Sequence, residues 1–371
     1  MPVADAHAAR SERWARVRGR MSDLGVDALL LSLGADLPWL SGYEAMPLER
    51  LTMLVLPADG DATLVVPRLE EPRVEPVPSL FSVRAWEETE DPVEIVAALV
   101  GPGRSLAVSD RTWSTFLLDL QARLPHARWQ AASLVTGPLR AVKDREEVRA
   151  LRRAASAADR VAEALVGGHI PLVGRTEADV SRDLGERLVA EGHQRVNFAI
   201  VGSGPNSASP HHEPGRRRIG ASEAVVCDFG GTLDGYCSDI TRTVFTGPPP
   251  AGFRHLYGVL EEAQAAAVEA AAVGTPCEDV DGVARRAITE AGYGAHLVHR
   301  TGHGIGREEH EDPYLVGGNC EALAPGNAFS VEPGIYVSGR WGARIEDIVV
   351  ATDAGPEPLN TVDHRLAVVE A

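Results

Sequence analysis

VGRTEADV, residues 173–180, returns one hundred residues later as VGTPCEDV, residues 273–280. Each copy opens a stretch of helical periodicity, with acidic residues just inside its start. The two stretches close alike, as LVAEGH (188–193) and ITEAGY (288–293), and an Ala-rich helical stretch precedes each copy. Apolar strand-like runs follow both helix pairs. After the first they are Asn197–Val201, Ala224–Phe229 and Ile240–Phe245; after the second, Leu297–Arg300, Ala328–Glu332 and Arg344–Ala351. A helix pair and strands occurring twice predict two α+β halves related by a pseudo-twofold, with a site between them to which both contribute.

Upstream, residues 1–137 read as a smaller α/β domain with no catalytic motif of its own. Asp27–Leu33, Leu51–Leu56, Ala62–Val66 and Ser105–Val108 are expected as buried strands, and Arg10–Leu24 and Ser114–Leu124 as helices. GPLRAVKD (137–144) reads as the crossover into a second domain over 138–371. Asp144 is placed to cap the amphipathic helix that follows.

With 44% hydrophobic and 24% charged residues, the composition is that of an ordinary globular protein. A net charge of −17 argues against a nucleic-acid binder. The charged N-terminal stretch has no apolar signal core, no run of 18 apolar residues suggests a membrane span, and the four cysteines form no CxxC pair. A cytoplasmic protein with free thiols is expected.

Five hard ligands stand in order along the second domain: Asp228, Asp239, His303, Glu332 and Glu346. Four carboxylates and an imidazole suit two divalent ions such as Mn²⁺, Co²⁺ or Zn²⁺. In EAVVCDFGGTLDGYCSDITRTVFT (223–246), Asp228 and Asp239 lie on strands joined by a Gly-rich turn, with Asp234 as a turn former. Two facing carboxylates repel unless a cation lies between them. HRTGHGIGREEH (299–310) brings three imidazoles together, and Gly302 and Gly304 beside His303 allow close backbone approach to a ligand. Glu332 ends an apolar strand in FSVEPGIY (329–336). In ARIEDIVV (343–350), Arg344 and Glu346 share one face of an expected strand, where a buried carboxylate needs a partner. VGSGPNSASPHHEP (201–214) reads as a substrate-contact loop ending in two histidines, one of them a spacer.

These segments resemble, in order, the motifs of the pita-bread metallopeptidases: SGPNSASPH, DFG with GYCSDITRT, HRTGHGIGREEHEDP, EPGIY and RIED. That family includes Xaa-Pro dipeptidases (prolidases), Xaa-Pro aminopeptidases, methionine aminopeptidases and the metal-free creatinase. The resemblance covers residues 145–371 most specifically, and the first domain is similar to the creatinase/prolidase N-terminal domain. It implies an α+β pita-bread fold and a dinuclear site of Asp228, Asp239, His303, Glu332 and Glu346, with Asp239 and Glu346 bridging. It further implies a metal-bridging water as nucleophile, Glu332 as its proton acceptor and His211 as the catalytic histidine. His310 would contact the scissile carbonyl or the tetrahedral intermediate, with His299 and Arg344 in support. Family members often carry Arg just after the HExP segment; this chain carries Tyr314 there, which leaves the binder of a substrate carboxylate open.

Among the family's activities, the N-terminal domain disfavours methionine aminopeptidase and the intact ligand set disfavours creatinase. The expected activity is hydrolysis of the bond between an N-terminal residue and proline in a short peptide, with two divalent ions per chain, Mn²⁺ first. The alternatives are an Xaa-Pro aminopeptidase acting on longer peptides, a small-amide hydrolase, or a non-catalytic peptide-binding protein of the same fold. The resemblance also implies a homodimer, with WLSGY (39–43) as a candidate contact unless Trp39 belongs to the core.

Overall fold

The computed structural model describes residues 3–101 and 104–370. It divides into two compact units, residues 1–140 and 141–371.

The first unit is a six-stranded mixed sheet built from β1 (Ala28–Leu31), β2 (Met53–Pro57), β3 (Ala62–Pro67), β4 (Phe81–Trp86), β5 (Ser105–Val108) and β6 (Arg128–Ala131), in the order β4-β3-β2-β1-β5-β6. Its helices are α1 (Val3–Leu24), α2 (Asp36–Ser41), α3 (Pro92–Val100), α4 (Ser114–Arg123) and α5 (Ser133–Ala141). Side chains alternate across a strand, so nearly continuous apolar runs feed two cores. Leu29, Leu31, Leu54, Leu56, Leu64 and Val66 pack with Trp14, Val17 and Met21 of α1. Leu30, Met53, Val55 and Val65 pack on the other face with Val93 and Val96 of α3 and Leu120 of α4. Truncating any of these leucines to alanine costs about 2–5 kcal/mol. Trp39 is 1% exposed within the first of these cores, so as placed here it is a packing residue. The boundary between the units falls within GPLRAVKD, whose first five residues complete α5, with Pro138 inside the helix.

The second unit begins with α6 (Arg145–Val166). Asp144 accepts from Glu146 N (2.9 Å) and Glu147 N (3.0 Å), and Glu147 reaches back to Asp144 N, which closes a capping box. Next come α7 (Glu177–Ala190) and a sheet of β7 (Arg195–Ser203), β8 (Ala224–Leu233), β9 (Tyr236–Cys237) and β10 (Ile240–Thr246). Helices α8 (Ala251–Ala270) and α9 (Cys277–Glu290) open the other half. Its strands are β11 (Gly302–Gly304), β12 (Glu311–Leu315), β13 (Ala328–Val331), β14 (Gly334–Val337), β15 (Trp341–Arg344), β16 (Asp347–Thr352) and β17 (Gly355–Pro358), before β18 (Ala367–Val369) returns to β10.

The duplication is written in backbone hydrogen bonds. Gly174 N donates to Ile219 O and Gly274 N to Leu323 O, both at 2.8 Å. Ile219 N donates to Arg175 O and Leu323 N to Thr275 O, both at 2.9 Å. Each repeat thus pins the start of its second helix to an extended segment in the same way. The offset of 104 residues that relates these extended segments also carries Asp228 onto Glu332. The helix pair of each half covers one face of its own sheet. Val225, Cys227 and Phe229 pack against α6 and α7, while Phe329, Val331, Val349 and Ala351 pack against α8 and α9. By the period of two, Asp228, Ser330 and Glu332 point to the opposite faces.

Two expected strands differ. Leu297–Arg300 is irregular, and the strand of that segment starts only at Gly302, where pairing with β12 and β13 begins. Arg344–Ala351 is not one strand: β15 ends at Arg344 in a hairpin with β14, and β16 starts at Asp347 in a different sheet. The break serves the seam between halves. Thr243 Oγ1 exchanges hydrogen bonds with Arg344 N and O (3.0 and 2.9 Å), and Glu346 N donates to Thr241 O (3.2 Å). Arg242 and Asp347, each about 1% exposed at the side chain, pair at 2.7 Å beside it.

Candidate active site

At this seam lies a cavity of about 470 Å³. Its wall contains all nine residues singled out in the sequence: His211, Asp228, Asp239, His299, His303, His310, Glu332, Arg344 and Glu346. Phe198, Ile200 and Pro210 supply apolar wall. Asp228 comes from β8, Asp239 precedes β10, His303 is the centre of β11, Glu332 follows β13, and Glu346 sits in the break between β15 and β16. Gly302 and Gly304 are required by the neighbouring strands. A Cβ on Gly302 would lie 1.9 Å from Ser330 O, and one on Gly304 2.2 Å from Asp312 O.

Donor atoms of Asp239, His303 and Glu346 lie within 4.8 Å of one another, all three buried. His303 Nδ1 lies 3.1 Å from Gly304 O, which assigns the proton to Nδ1 and turns the Nε2 lone pair inward. That lone pair faces Glu332 Oε1 at 3.3 Å and Asp239 Oδ2 at 3.8 Å. Burial pushes the His303 imidazole down to about 3, with His310 adding to the effect, so it is neutral at pH 7. Acceptors therefore face acceptors. Burial raises Glu332 to about 7 against the pull of Arg344, and burial with carboxylate crowding raises Asp239 and Glu346. Asp228 Oδ1 is buried with no hydrogen-bond partner. Each of these tensions is relieved by divalent cations between the groups, and the oxygen-rich donor set with one imidazole fits them.

Arg344 organises the acidic cluster. Nη2 donates to Asp228 Oδ2, Nη1 to Tyr336 Oη (2.8 Å) and Nε to Thr241 Oγ1 (3.0 Å). Thr241 Oγ1 in turn donates to Glu346 Oε2 at 2.6 Å. The side chains of Arg344 and Glu346 are each 3% exposed, so this is no surface ion pair. His299 Nε2 lies 2.9 Å from Tyr336 Oη and its Nδ1 2.7 Å from Arg300 O. Burial beside Arg344 pushes His299 down to about 4, so it is neutral. His303 and His310 rings meet edge to face, their centroids 4.1 Å apart.

Of the histidine pair, His211 faces the cavity while His212 Nε2 lies 2.8 Å from Glu177 Oε2. Glu177 is a residue the sequence reading passed over as part of a helix start. Its fully buried carboxylate also accepts from Ser203 N (2.9 Å), Ser203 Oγ (2.7 Å) and Asn206 Nδ2 (3.0 Å), anchoring the loop that carries His211. One signal was available: the second repeat has Cys277 where the first has Glu177. Cys227 and Cys237 are buried bystanders whose thiols burial pushes far up, so neither is a thiolate.

Fold and site together define a metallopeptidase. Residues 149–353 match Metallopeptidase family M24 and residues 13–142 the Creatinase/Prolidase N-terminal domain; the chain belongs to family M24. It is 43% identical over 364 residues to a probable dipeptidase PepE of Mycobacterium tuberculosis, spanning 97% of this chain and 96% of that protein. The crystal structure of dipeptidase PepE from Mycobacterium ulcerans superposes with a TM-score of 0.89 at 42% identity, covering 98% and 99% of the two chains. A prolidase from Thermococcus sibiricus superposes with a TM-score of 0.91 at 35% identity, covering 97% and 99%. The fold is therefore pita-bread, the N-terminal unit is of creatinase/prolidase type, and the family's chemistry depends on divalent metal. No helix among the described residues is long and apolar enough to cross a membrane.

Proposed function

We propose that this chain is an Xaa-Pro dipeptidase using two divalent ions, Mn²⁺ first among Mn²⁺, Co²⁺ and Zn²⁺. Asp228, Asp239, His303, Glu332 and Glu346 would hold the ions. The observation that carries this reading is the convergence of these five side chains on one cavity, with Asp228 Oδ1 left as an unpaired buried acceptor and His303 Nε2 turned toward Glu332 and Asp239. When bound, such ions supply Lewis acidity and an acidified water near neutral pH.

The chain's own residues do the rest. Glu332 has one oxygen, Oε1, tied to Ser330 Oγ at 3.2 Å, and Oε2 is the position for a proton taken during hydrolysis. His310, kept neutral by burial and by Arg300, can donate to a developing oxyanion from one ring nitrogen. His211 faces the same space from the opposite half, held by the anchored loop. Arg344 and Tyr336 keep Asp228 and His299 from rotating. Phe198, Ile200 and Pro210 offer a wall for a pyrrolidine ring, and a cavity of about 470 Å³ suits a short peptide. The prolidase and dipeptidase relatives support the same substrate class. The protein would act in the cytoplasm as a homodimer.

The test is hydrolysis by chelated, metal-reconstituted protein of Xaa-Pro dipeptides, Xaa-Pro-Yaa tripeptides, a Met-Ala peptide and creatine. Metal-dependent cleavage concentrated on Xaa-Pro dipeptides is expected. Preference for the tripeptides would make the enzyme an Xaa-Pro aminopeptidase, and cleavage of no peptide would overturn the proposal.

A further inference from the structure

Two arginines stand on the cavity wall in different circumstances. Arg344 is buried and committed to Asp228, Thr241 and Tyr336. Arg300 is half-buried, and no carboxylate among the described residues forms an ion pair with it. Its guanidinium carbon lies 4.4 Å from the centroid of the Tyr314 ring. Tyr314 occupies the position after the HExP segment where the resembling family often carries arginine. The stacking therefore brings a guanidinium from residue 300 to the side chain that replaces it.

A dipeptide is a zwitterion, and the cavity is charged unevenly. Asp228, Asp239, Glu332 and Glu346 would be balanced by the ions they hold, so a dipeptide's carboxylate needs a cation of its own on the wall. Glu309 adds a further negative charge to the wall. Arg300 is the cation there with donors to spare. A guanidinium offers two parallel N–H donors to one carboxylate, and an aromatic face beneath it leaves those edge donors free.

We propose that Arg300, held against Tyr314, binds the C-terminal carboxylate of the substrate and makes the enzyme select free dipeptides over peptides extended or capped at that end. This rests on the dipeptidase reading above and adds the residue that sets substrate length.

The experiment compares kcat/KM for Ala-Pro and for Ala-Pro amide in metal-loaded wild type, Arg300→Gln and Arg300→Lys, with bound metal measured in each. Wild type is expected to favour the free acid. Arg300→Gln should lower the acid-to-amide ratio about 10- to 100-fold, chiefly through KM of the acid, and Arg300→Lys should lower it less. The ratio compares two substrates on one sample, so lost fold or metal lowers both rates and leaves it standing. An unchanged ratio in Arg300→Gln, or a wild type that cleaves both substrates equally, would overturn the assignment while leaving the dipeptidase reading in place. A wild type that cleaves neither would overturn that reading and this inference with it.

Discussion

Arg344 donates to Oδ2 of Asp228, and Oδ1 of the same carboxylate is buried with nothing bonded to it. A carboxylate fixed at one oxygen and bare at the other is oriented rather than neutralised, and a buried bare oxygen is costly unless a cation completes it. The same arginine reaches Tyr336 and Thr241, and through Thr241 it steadies Glu346. One side chain thereby aims acids from both halves of the duplicated fold.

Arg344→Lys keeps the charge but cannot span Asp228, Tyr336 and Thr241 at once. Replacing such an orienting partner typically costs 10- to 100-fold. We expect about that loss in kcat or in Mn²⁺ affinity, read by steady-state kinetics and by metal titration. Wild-type values in both would remove Arg344 from the role of organiser.

The metal-free protein should be less stable at neutral than at mildly acidic pH. Glu332 is raised to about 7, and Asp239 and Glu346 are raised as well, so these carboxylates bind more protons in the folded state than in the unfolded one. His299 and His303, lowered to about 4 and about 3, instead bind fewer below their ordinary value of 6.5. Stability from the carboxylates is complete below the ordinary carboxylate range and is lost as pH rises through about 7 for Glu332. Above about pH 6.5, where the histidines are neutral in the unfolded state as well, calorimetry of chelated protein should give a Tm that falls toward about pH 7.5, and adding Mn²⁺ should abolish most of that fall and release protons. A chelated Tm that rises steadily over this range would contradict the crowding described for these carboxylates.

Glu177→Ala removes the acceptor shared by Ser203, Asn206 and His212 and leaves their buried donors unpaired. A stability loss of about 2–4 kcal/mol is expected. Faster amide exchange over residues 203–212 should accompany it, with kcat reduced about tenfold as His211 loses its position. Unchanged exchange in that loop would separate Glu177 from His211.

Asp347→Ala leaves Arg242 buried without its ion partner. Removing one member of such a pair costs about 3–5 kcal/mol. Urea unfolding of metal-loaded protein should display that loss, because the pair lies beside the seam formed by Thr241 and Glu346. A loss below about 1 kcal/mol would mean that His364 and Gln264, which also contact Asp347, do not depend on it for their placement.

The duplication, the helix starts and the cavity residues were legible because each stands out locally: an acid at the end of an apolar run, a histidine between glycines, a repeated turn. The parts that escaped notice depend on tertiary partners. Residues 343–350 alternate identically whether they form one strand or two, and only the neighbouring Thr241 and Thr243 decide that the chain breaks at Ile345 and Glu346. Strand β4, FSVRAW, and strand β6, RWQA, carry charged residues and earn their place by parallel pairing at the sheet edges. Glu177 looked like one more acid at a helix N-terminus, and its donors, from Ser203, Asn206, His212 and Gly215, come from a segment about 30 residues away.

The most direct test of the central claim is a stoichiometric titration of chelated protein with Mn²⁺, following Ala-Pro hydrolysis and bound metal together. Activity is expected to climb and saturate at two ions per chain. Full activity in chelated protein, or no Ala-Pro cleavage with two ions bound, would contradict the account.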